Sequence, residues 1–242
     1  LPQVVIRKPG SLAEQQVSLD TLEDCEVYVC DPTGQVFADF CKRCLIVLGP
    51  CQTSVFARDC EDCVFWIACG QLRTNNCLRC TFHLYSRTAP VIETSEDLLF
   101  APWAARYPKC ADHFARFSFD PARNLWNGIF DFTGSAERSN WRILPLAEVV
   151  ELSIELDESP EALATLENPC PPVTHEALCA EPLDSGDCGQ GVANIPQTRP
   201  EPPPPPPASA RPLAWTVDDR RCGGRPVGLR HLEEGLRRHK GG

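Results

Sequence analysis

The feature that most constrains the fold is a Cys-x-x-Cys pair, two cysteines with two residues between them, that recurs along the first third of the chain. The steps from Cys25 to Cys44, Cys63 and Cys80 are 19, 19 and 17 residues. Leu22 stands three residues before Cys25, where the later repeats carry Cys41, Cys60 and Cys77. The pair spacing is that of zinc ligands, but a metal ligand cannot be exchanged for Leu. The place therefore calls for a small or medium apolar side chain.

Each repeat continues into a short run of strand-forming residues, at 26–29, 45–48, 64–67 and 81–84. A period near 20 residues is typical of a solenoid, whose units bury their apolar face only by stacking. Reduced cysteine is small and apolar enough to form an interior column in such a stack. Zinc binding and disulfides remain alternatives, although reduced thiols suit the cytosol better than secretion.

The chain turns where solenoid corners are needed. Residues 31–34, Asp-Pro-Thr-Gly, have the composition of a turn, and Gly49-Pro50 closes the next strand. Strands that return to the same side by longer paths are parallel, and parallel crossovers are right-handed. The sequence therefore predicts an all-β fold, a right-handed parallel β-helix over residues 10 to about 100.

Beyond these repeats the pattern changes twice. Residues 86–120 are rich in aromatics and should wrap one side or end of the solenoid, and Trp126 and Trp141 should pack in a C-terminal capping segment. Fifteen of the 24 prolines lie after residue 156. We therefore predict a domain at 1–156 and a Pro-rich, disordered tail at 157–242. The run from Pro202 to Pro207 suits an SH3 or profilin-type partner, or a stiff spacer.

The net charge of -10 argues against nucleic acid as a partner. Residues 1–156 hold 14 Lys and Arg against 20 Asp and Glu, so a basic footprint is missing. No stretch has the roughly 18 apolar residues of a membrane-spanning helix. The chain begins at Leu1 and contains no methionine. We expect a preceding N-terminal segment, whose acylation would allow peripheral membrane association.

The candidate functional stretch is 68–77, Ala-Cys-Gly-Gln-Leu-Arg-Thr-Asn-Asn-Cys, which sets Arg73 beside the amide of Gln71. An Arg is always charged, and its planar fork can bind carboxylate or neutralise a transferring phosphoryl group. A lone Arg is more often an ordinary surface residue. The sequence contains no phosphate-binding loop of the Gly-x-x-x-x-Gly-Lys-Ser/Thr type.

The repeated Asp-Cys-x-x-Cys units, Leu-Gly-Pro at 48–50 with Ser-Val-Phe at 54–56, residues 68–73, Pro-Val-Ile-Glu at 90–93 and the stretch from Trp126 to Trp141 resemble the tubulin-binding cofactor C domain family. The chain is most similar to the branch that acts on Arf-like small GTPases. The resemblance implies a right-handed parallel β-helix that activates such a GTPase in its GTP state by supplying an arginine finger in trans. It implies no cofactor on this chain, because GTP and magnesium belong to the partner, and no complete active site of its own.

Carried over from the family, the finger falls on Arg73, the catalytic amide on Gln71, the acidic residue that positions the finger on Glu93, and a GTPase-contacting aromatic on Phe132. Two positions depart from the family pattern. Gly70 replaces a Gln before the motif, and Asn75 replaces a second basic residue after it. Both positions are expected to contact the partner, and Gly70 is expected to loosen the loop or to remove one contact.

The resemblance also implies a place in ciliary or membrane-protein trafficking, in the cytoplasm, at the ciliary base or on the plasma membrane. Other functions remain open. One is activation of GTP hydrolysis by tubulin during its folding, and the others are a non-catalytic β-helix effector and an actin-binding scaffold. The finger motif has no use in the actin-binding alternative.

Overall fold

A computed structural model describes residues 3–134, 139–156, 164, 166–181 and 215–217. Strands make up most of the structure. They are β1 Gln3–Arg7, β2 Val17–Asp20, β3 Cys25–Val29, β4 Val36–Asp39, β5 Leu45–Arg58, β6 Val64–Asn75, β7 Thr81–Ser86, β8 Val91–Glu93, β9 Leu98–Pro102, β10 Ala105–Pro108, β11 Phe130–Asp131, β12 Trp141–Ile143, β13 Leu152–Ser153, β14 Leu166–Glu167 and β15 Trp215–Val217. The helices are α1 Cys110–Arg116, a 3-10 helix Leu146–Glu148 and α2 His175–Cys179.

The strands stack in parallel on two faces of one coil. The first face consists of β1, β3, the first halves of β5 and β6, β7, β9 and β12. The second face consists of β15, β2, β4, the second halves of β5 and β6, β8 and β11. A third column of single bridges closes five successive turns, at Glu23, Lys42, Glu61, Leu78 and Glu96. This arrangement confirms the predicted parallel β-helix.

The corners explain the cysteines. On one turn, Asp59 and Asp62 both have φ of 54°, in the left-handed region, and a buried cysteine follows each of them. The Cys60 thiol donates to the Ala38 carbonyl at 3.3 Å, and the Cys63 thiol donates to the Cys41 carbonyl at the same distance. A small donor at each corner thus binds a carbonyl of the turn below. The two cysteine columns lie in the interior, as the sequence predicted.

The predicted strands are present, but two of them are longer than the sequence indicated. β5 has 14 residues and β6 has 12, because each passes through a corner and continues onto the second face. The sequence analysis recognised only their first four residues as strand. The second halves alternate buried and outward residues, and this alternation builds the second face.

Aromatic residues after β9 cover the outer side of the first face. Trp66 stacks on His83 with ring centroids 4.3 Å apart, and Tyr85 packs against Phe114 of α1 at 5.0 Å. β11 and β12 extend the coil by a partial turn, and Trp126 packs into the interior core. The predicted capping segment is confirmed. The wrapping prediction for residues 86–120 holds only after β9, because β8 and β9 form a further turn of the coil.

Packing does not stop at residue 156, where the sequence analysis placed the domain boundary. β14 pairs antiparallel with β10, and Cys170 is buried against the outer side of the first face. Leu178 joins the interior core, and Asn127 donates to the Ala180 carbonyl at 2.9 Å. β15 pairs with β2. A few apolar residues suffice here because they meet a surface that the β-helix has already built. The run from Pro202 to Pro207 lies outside the described residues.

Candidate functional site

β6 presents three of the predicted site residues together. Gln71, Arg73 and Asn75 alternate with the buried Leu72 and Thr74, so all three lie on the outward side of the second face. Arg73 is exposed, whereas Gln71 and Asn75 are half-buried. The alternation fixes these orientations, because successive side chains of a strand point to opposite sides.

Apolar neighbours flank Arg73 along the stack. Phe56 of the preceding turn and Val91 of the following turn are both in register with Arg73. Phe37 lies one strand beyond Phe56, and Phe130 lies one strand beyond Val91. Arg73 is therefore the one charged residue in a row of otherwise apolar outward side chains.

The Arg73 guanidinium has no carboxylate within 4.0 Å among the residues that the structure describes. Other arginines of the coil are held by acids of the preceding turn. Arg43 binds Asp24 at 2.9 Å, Arg58 binds Asp39 at 2.6 Å, and Arg79 binds Asp62 at 2.7 Å. Of these four arginines, only Arg73 is free to pair with a group brought by another molecule.

Glu93 lies on the neighbouring strand, directly opposite Asn75. It is exposed on the same face as Arg73 and displaced from it by two residues along the strand. The two side chains form no ion pair within the described structure, so Glu93 does not hold Arg73 by direct contact there. Its role in positioning Arg73 stays a prediction.

Gly70 lies where two turns approach closely. A Cβ at this position would come within 2.5 Å of the Thr53 carbonyl oxygen. The Gly70 carbonyl accepts hydrogen bonds from the Thr88 backbone amide at 3.1 Å and from its hydroxyl at 3.0 Å. Glycine is therefore required by backbone packing, and the expectation that it loosens this loop is wrong. Its contact with a partner stays a prediction.

Phe132 lies level with Glu93, two residues beyond Phe130, which ends the outward row on the far side of Arg73. Its side chain is 60% exposed and meets Phe130, 53% exposed, with ring centroids 4.7 Å apart. The sequence analysis selected Phe132 but missed Phe130, Phe56 and Phe37. Aligning the turns so that residues 37, 56 and 73 occupy equivalent positions would have found Phe37 and Phe56. Phe130 could not be found in this way, because it belongs to a turn outside the repeat.

Metal ligands were the alternative explanation for the paired cysteines. Among these residues no group of three or more His, Cys, Asp or Glu side chains could hold a metal ion. Burial raises the pKa of Cys51 to about 11 and that of Cys170 to about 12, so both thiols are protonated at neutral pH. Of the described cysteines only Cys179 is exposed.

Within the described ranges, no helix combines the length and the apolar composition that a bilayer-spanning segment requires.

Comparison with known families places this face in context. Residues 14–132, which include β2 to β9, β11 and all the candidate site residues, match the family model for tubulin binding cofactor C. These residues belong to the tubulin binding cofactor C family. The outward row around Arg73 thus lies on a tubulin binding cofactor C domain.

Two curated relatives of this cofactor C domain differ in name. The chain is 31% identical over 149 residues to "Tubulin-specific chaperone C" of Homo sapiens, which covers 60% of this chain and 43% of the relative. It is 37% identical over 159 residues to "Protein XRP2" of Xenopus laevis, which covers 66% of this chain and 45% of the relative. The chain therefore spans less than half the length of these relatives.

A solved structure, "Tubulin Binding Cofactor C from Leishmania major", is 21% identical to this chain. The match has a TM-score of 0.42 and covers 60% of this chain and 90% of that chain.

Proposed function

We propose that this cofactor C domain accelerates GTP hydrolysis by an Arf-like small GTPase, into whose nucleotide site it inserts Arg73. The observation that carries the proposal is the state of Arg73. It is exposed at the centre of the outward row on the second face, and no carboxylate of the described structure neutralises it. An arginine that no described carboxylate neutralises can place its full charge on an incoming phosphate.

The chemistry needs only this charge and its geometry. Hydrolysis builds negative charge on the γ-phosphate and the leaving oxygen, and an arginine finger that neutralises it raises the rate by roughly 10³ to 10⁵. GTP and magnesium are supplied by the partner. Gln71 projects from the same side of β6, about 7 Å away along the strand. It is suited to hold the partner's water-orienting side chain or a backbone group.

The surroundings of Arg73 supply the docking contacts. Phe132 offers exposed apolar surface at one end of the face, and the half-buried Asn75 lies between Arg58 and Glu93. Because Arg58 already binds Asp39, the exposed Glu93 is the charge beside Asn75 that remains open to a basic group of the partner.

A second candidate partner is tubulin, which also hydrolyses GTP. The observation that favours it is the similarity to the human "Tubulin-specific chaperone C". The same exposed Arg73 would act on the nucleotide of a tubulin dimer. The two candidates differ in partner and share one mechanism.

The deciding experiment is a single-turnover GTP hydrolysis assay with a panel of Arf-like GTPases and with tubulin. We expect the wild-type chain to accelerate at least one of these reactions. Arg73→Ala should lower the accelerated rate by about 10³-fold or more, which is about 4 kcal/mol, with an unchanged melting temperature. Arg73→Lys should restore little of it, because a point charge does not reproduce the planar fork.

The matched control is Arg79→Ala, which removes an arginine of the same turn that is already held by Asp62 and Glu61. This variant should keep the full rate. Equal rates for Arg73→Ala and the wild type would refute the finger mechanism. Binding of a GTPase without any acceleration would instead identify a non-catalytic effector.

A further inference from the structure

Phe40 exposes an aromatic ring at a corner of the coil. Its side chain is 55% exposed, and its backbone is left-handed, with φ of 54°. The equivalent corners of the neighbouring turns carry Thr21, Asp59 and Asn76, whose backbones are left-handed as well, so stacking accounts for this conformation. Stacking does not account for the exposed ring, because the other turns fill the same corner with small or polar side chains.

Phe40 stands three residues after Phe37, a member of a stacked aromatic pair, and Asp39, which binds Arg58, stands between them along the chain. Phe37 and Phe56 stack on the second face with ring centroids 5.1 Å apart and an interplanar angle of 10°. Phe40 stands at the corner that ends this face, directly after β4. We call Phe37, Phe40 and Phe56 the phenylalanine patch. Its neighbour Arg58 lies over the Phe37 ring at 5.4 Å and is neutralised by Asp39, so the patch borders no unpaired charge at this side.

The phenylalanine patch is continuous with the Arg73 row. Phe56 is in register with Arg73 on the adjacent strand, a step of about 4.8 Å. On the other side of Arg73 lie Phe130 and Phe132. Of the four exposed large hydrophobic residues in the described structure, three flank this face, and the fourth, Leu146, lies in the 3-10 helix. Arg73 is thus bracketed by aromatic side chains along the stack.

We propose that the phenylalanine patch is a second docking contact for the same GTPase into which Arg73 inserts, and that it meets an apolar surface beside that partner's nucleotide site. This proposal rests on the proposed function. Phe56 and Phe37 lie one and two strands, about 5 and 10 Å, from Arg73, and Phe40 lies three residues further along the coil, too far to touch the reacting phosphate when Arg73 does. It therefore supplies affinity and leaves the rate of the bound complex to Arg73.

The test uses Phe40→Asn, because Asn accepts the left-handed backbone and removes the exposed ring. We expect the melting temperature to stay the same or to rise. The Kd for each panel GTPase loaded with a non-hydrolysable GTP analogue should rise about 5- to 30-fold, as for loss of an aromatic contact in an interface. The single-turnover rate at saturating domain should not change. Phe37→Ser is the second variant, and Leu146→Asn is the control outside the patch.

The readouts separate the two proposals. Arg73→Ala loses rate and keeps affinity, whereas Phe40→Asn loses affinity and keeps rate. Unchanged affinity in both patch variants, or an equal loss in Leu146→Asn, would overturn the patch. GTPases that bind the wild type without faster hydrolysis would refute the finger alone, and the same Kd comparison would still decide the patch. Failure of every loaded GTPase to bind would overturn both.

Discussion

The two faces of the β-helix carry similar outward side chains and have different surroundings. On the first face, Trp66 stacks on His83, and the chain's own segments around Trp103 and Phe114 cover the rings. On the second face, Phe37 stacks on Phe56 and remains half-buried. Both rows arise from the same turns. The difference lies in what the rest of the chain places over each of them.

The comparison shows how to separate packing residues from contact residues in a solenoid. Outward aromatics on a covered face have their partner within the chain, so their burial accounts for them. Outward aromatics on an open face are not covered by another segment of the described chain. Here they surround an arginine that no described carboxylate holds. The open face is therefore the one to test for function.

The largest expected effect on stability is at Trp66, on the covered face. Trp66→Ala should lower the free energy of unfolding by about 3–5 kcal/mol, because the side chain is 4% exposed and its removal leaves a cavity. Phe56→Ala, on the open face, should cost less than about 1.5 kcal/mol. Chemical denaturation of both variants measures the difference. Equal losses would mean that the covering segment contributes no packing.

Removing part of the cover should have the next largest effect. A chain that ends at residue 157 lacks Cys170 and Leu178, which pack on the outer cluster and the interior core. It should be less stable by about 2–4 kcal/mol than a chain that ends at residue 181, and both should keep the Arg73-dependent rate. Thermal melts of the two chains decide this. Identical melting temperatures would show that the folded domain ends at residue 156, as the sequence predicted.

Giving Arg73 an acidic neighbour should produce a smaller effect. Val91→Asp places a carboxylate in register with Arg73, much as Asp39 is in register with Arg58. The single-turnover rate should fall by up to about fivefold, because an exposed ion pair worth up to about 1 kcal/mol must break before Arg73 can insert. Val91→Asn is the uncharged control and should keep the rate. A full rate in Val91→Asp would show that the rate does not depend on Arg73 being unpaired.

The smallest effect concerns Arg79, at the corner between the two faces. Hydrogen bonds from Arg79 hold the pKa of Glu61 and that of Asp62 below their ordinary values. Depressed carboxyl pKa values stabilise the fold above the unfolded-state pKa near 4, and this contribution is lost as pH falls through the folded values. Arg79→Ala should therefore lower the melting temperature by no more than about 2 °C at pH 7 and by less at pH 3.

Arg73→Ala is the matched variant for this pH series. It should show no such pH-dependent difference, since no carboxylate of the described structure pairs with Arg73. A loss of melting temperature in Arg79→Ala that is larger at pH 3 than at pH 7 would show that Arg79 does not stabilise the fold through ionised Glu61 and Asp62.

Much of the fold could be predicted because it repeats locally. The step between equivalent cysteines, Leu22 in a cysteine place and the apolar run after each pair all lie within one turn and its neighbour. The left-handed corners could not be predicted from residue types, because Phe40 and Arg43 adopt the same backbone as Asp59 and Asp62. Stacking against the next turn imposes that conformation whatever the side chain.

The features of the candidate site also fall into two groups, those set by the local sequence and those set by tertiary contacts. The sequence by itself determined the period, the interior thiol columns and the alternation that turns Arg73 outward, because these depend on residues close along the chain. Only the tertiary structure decided that Gly70 is fixed by the Thr53 carbonyl and that Glu93 faces Asn75. It also decided which face residues 103–119 and 166–181 cover. These outcomes depend on contacts between residues distant in sequence, and periodicity within one turn does not encode them.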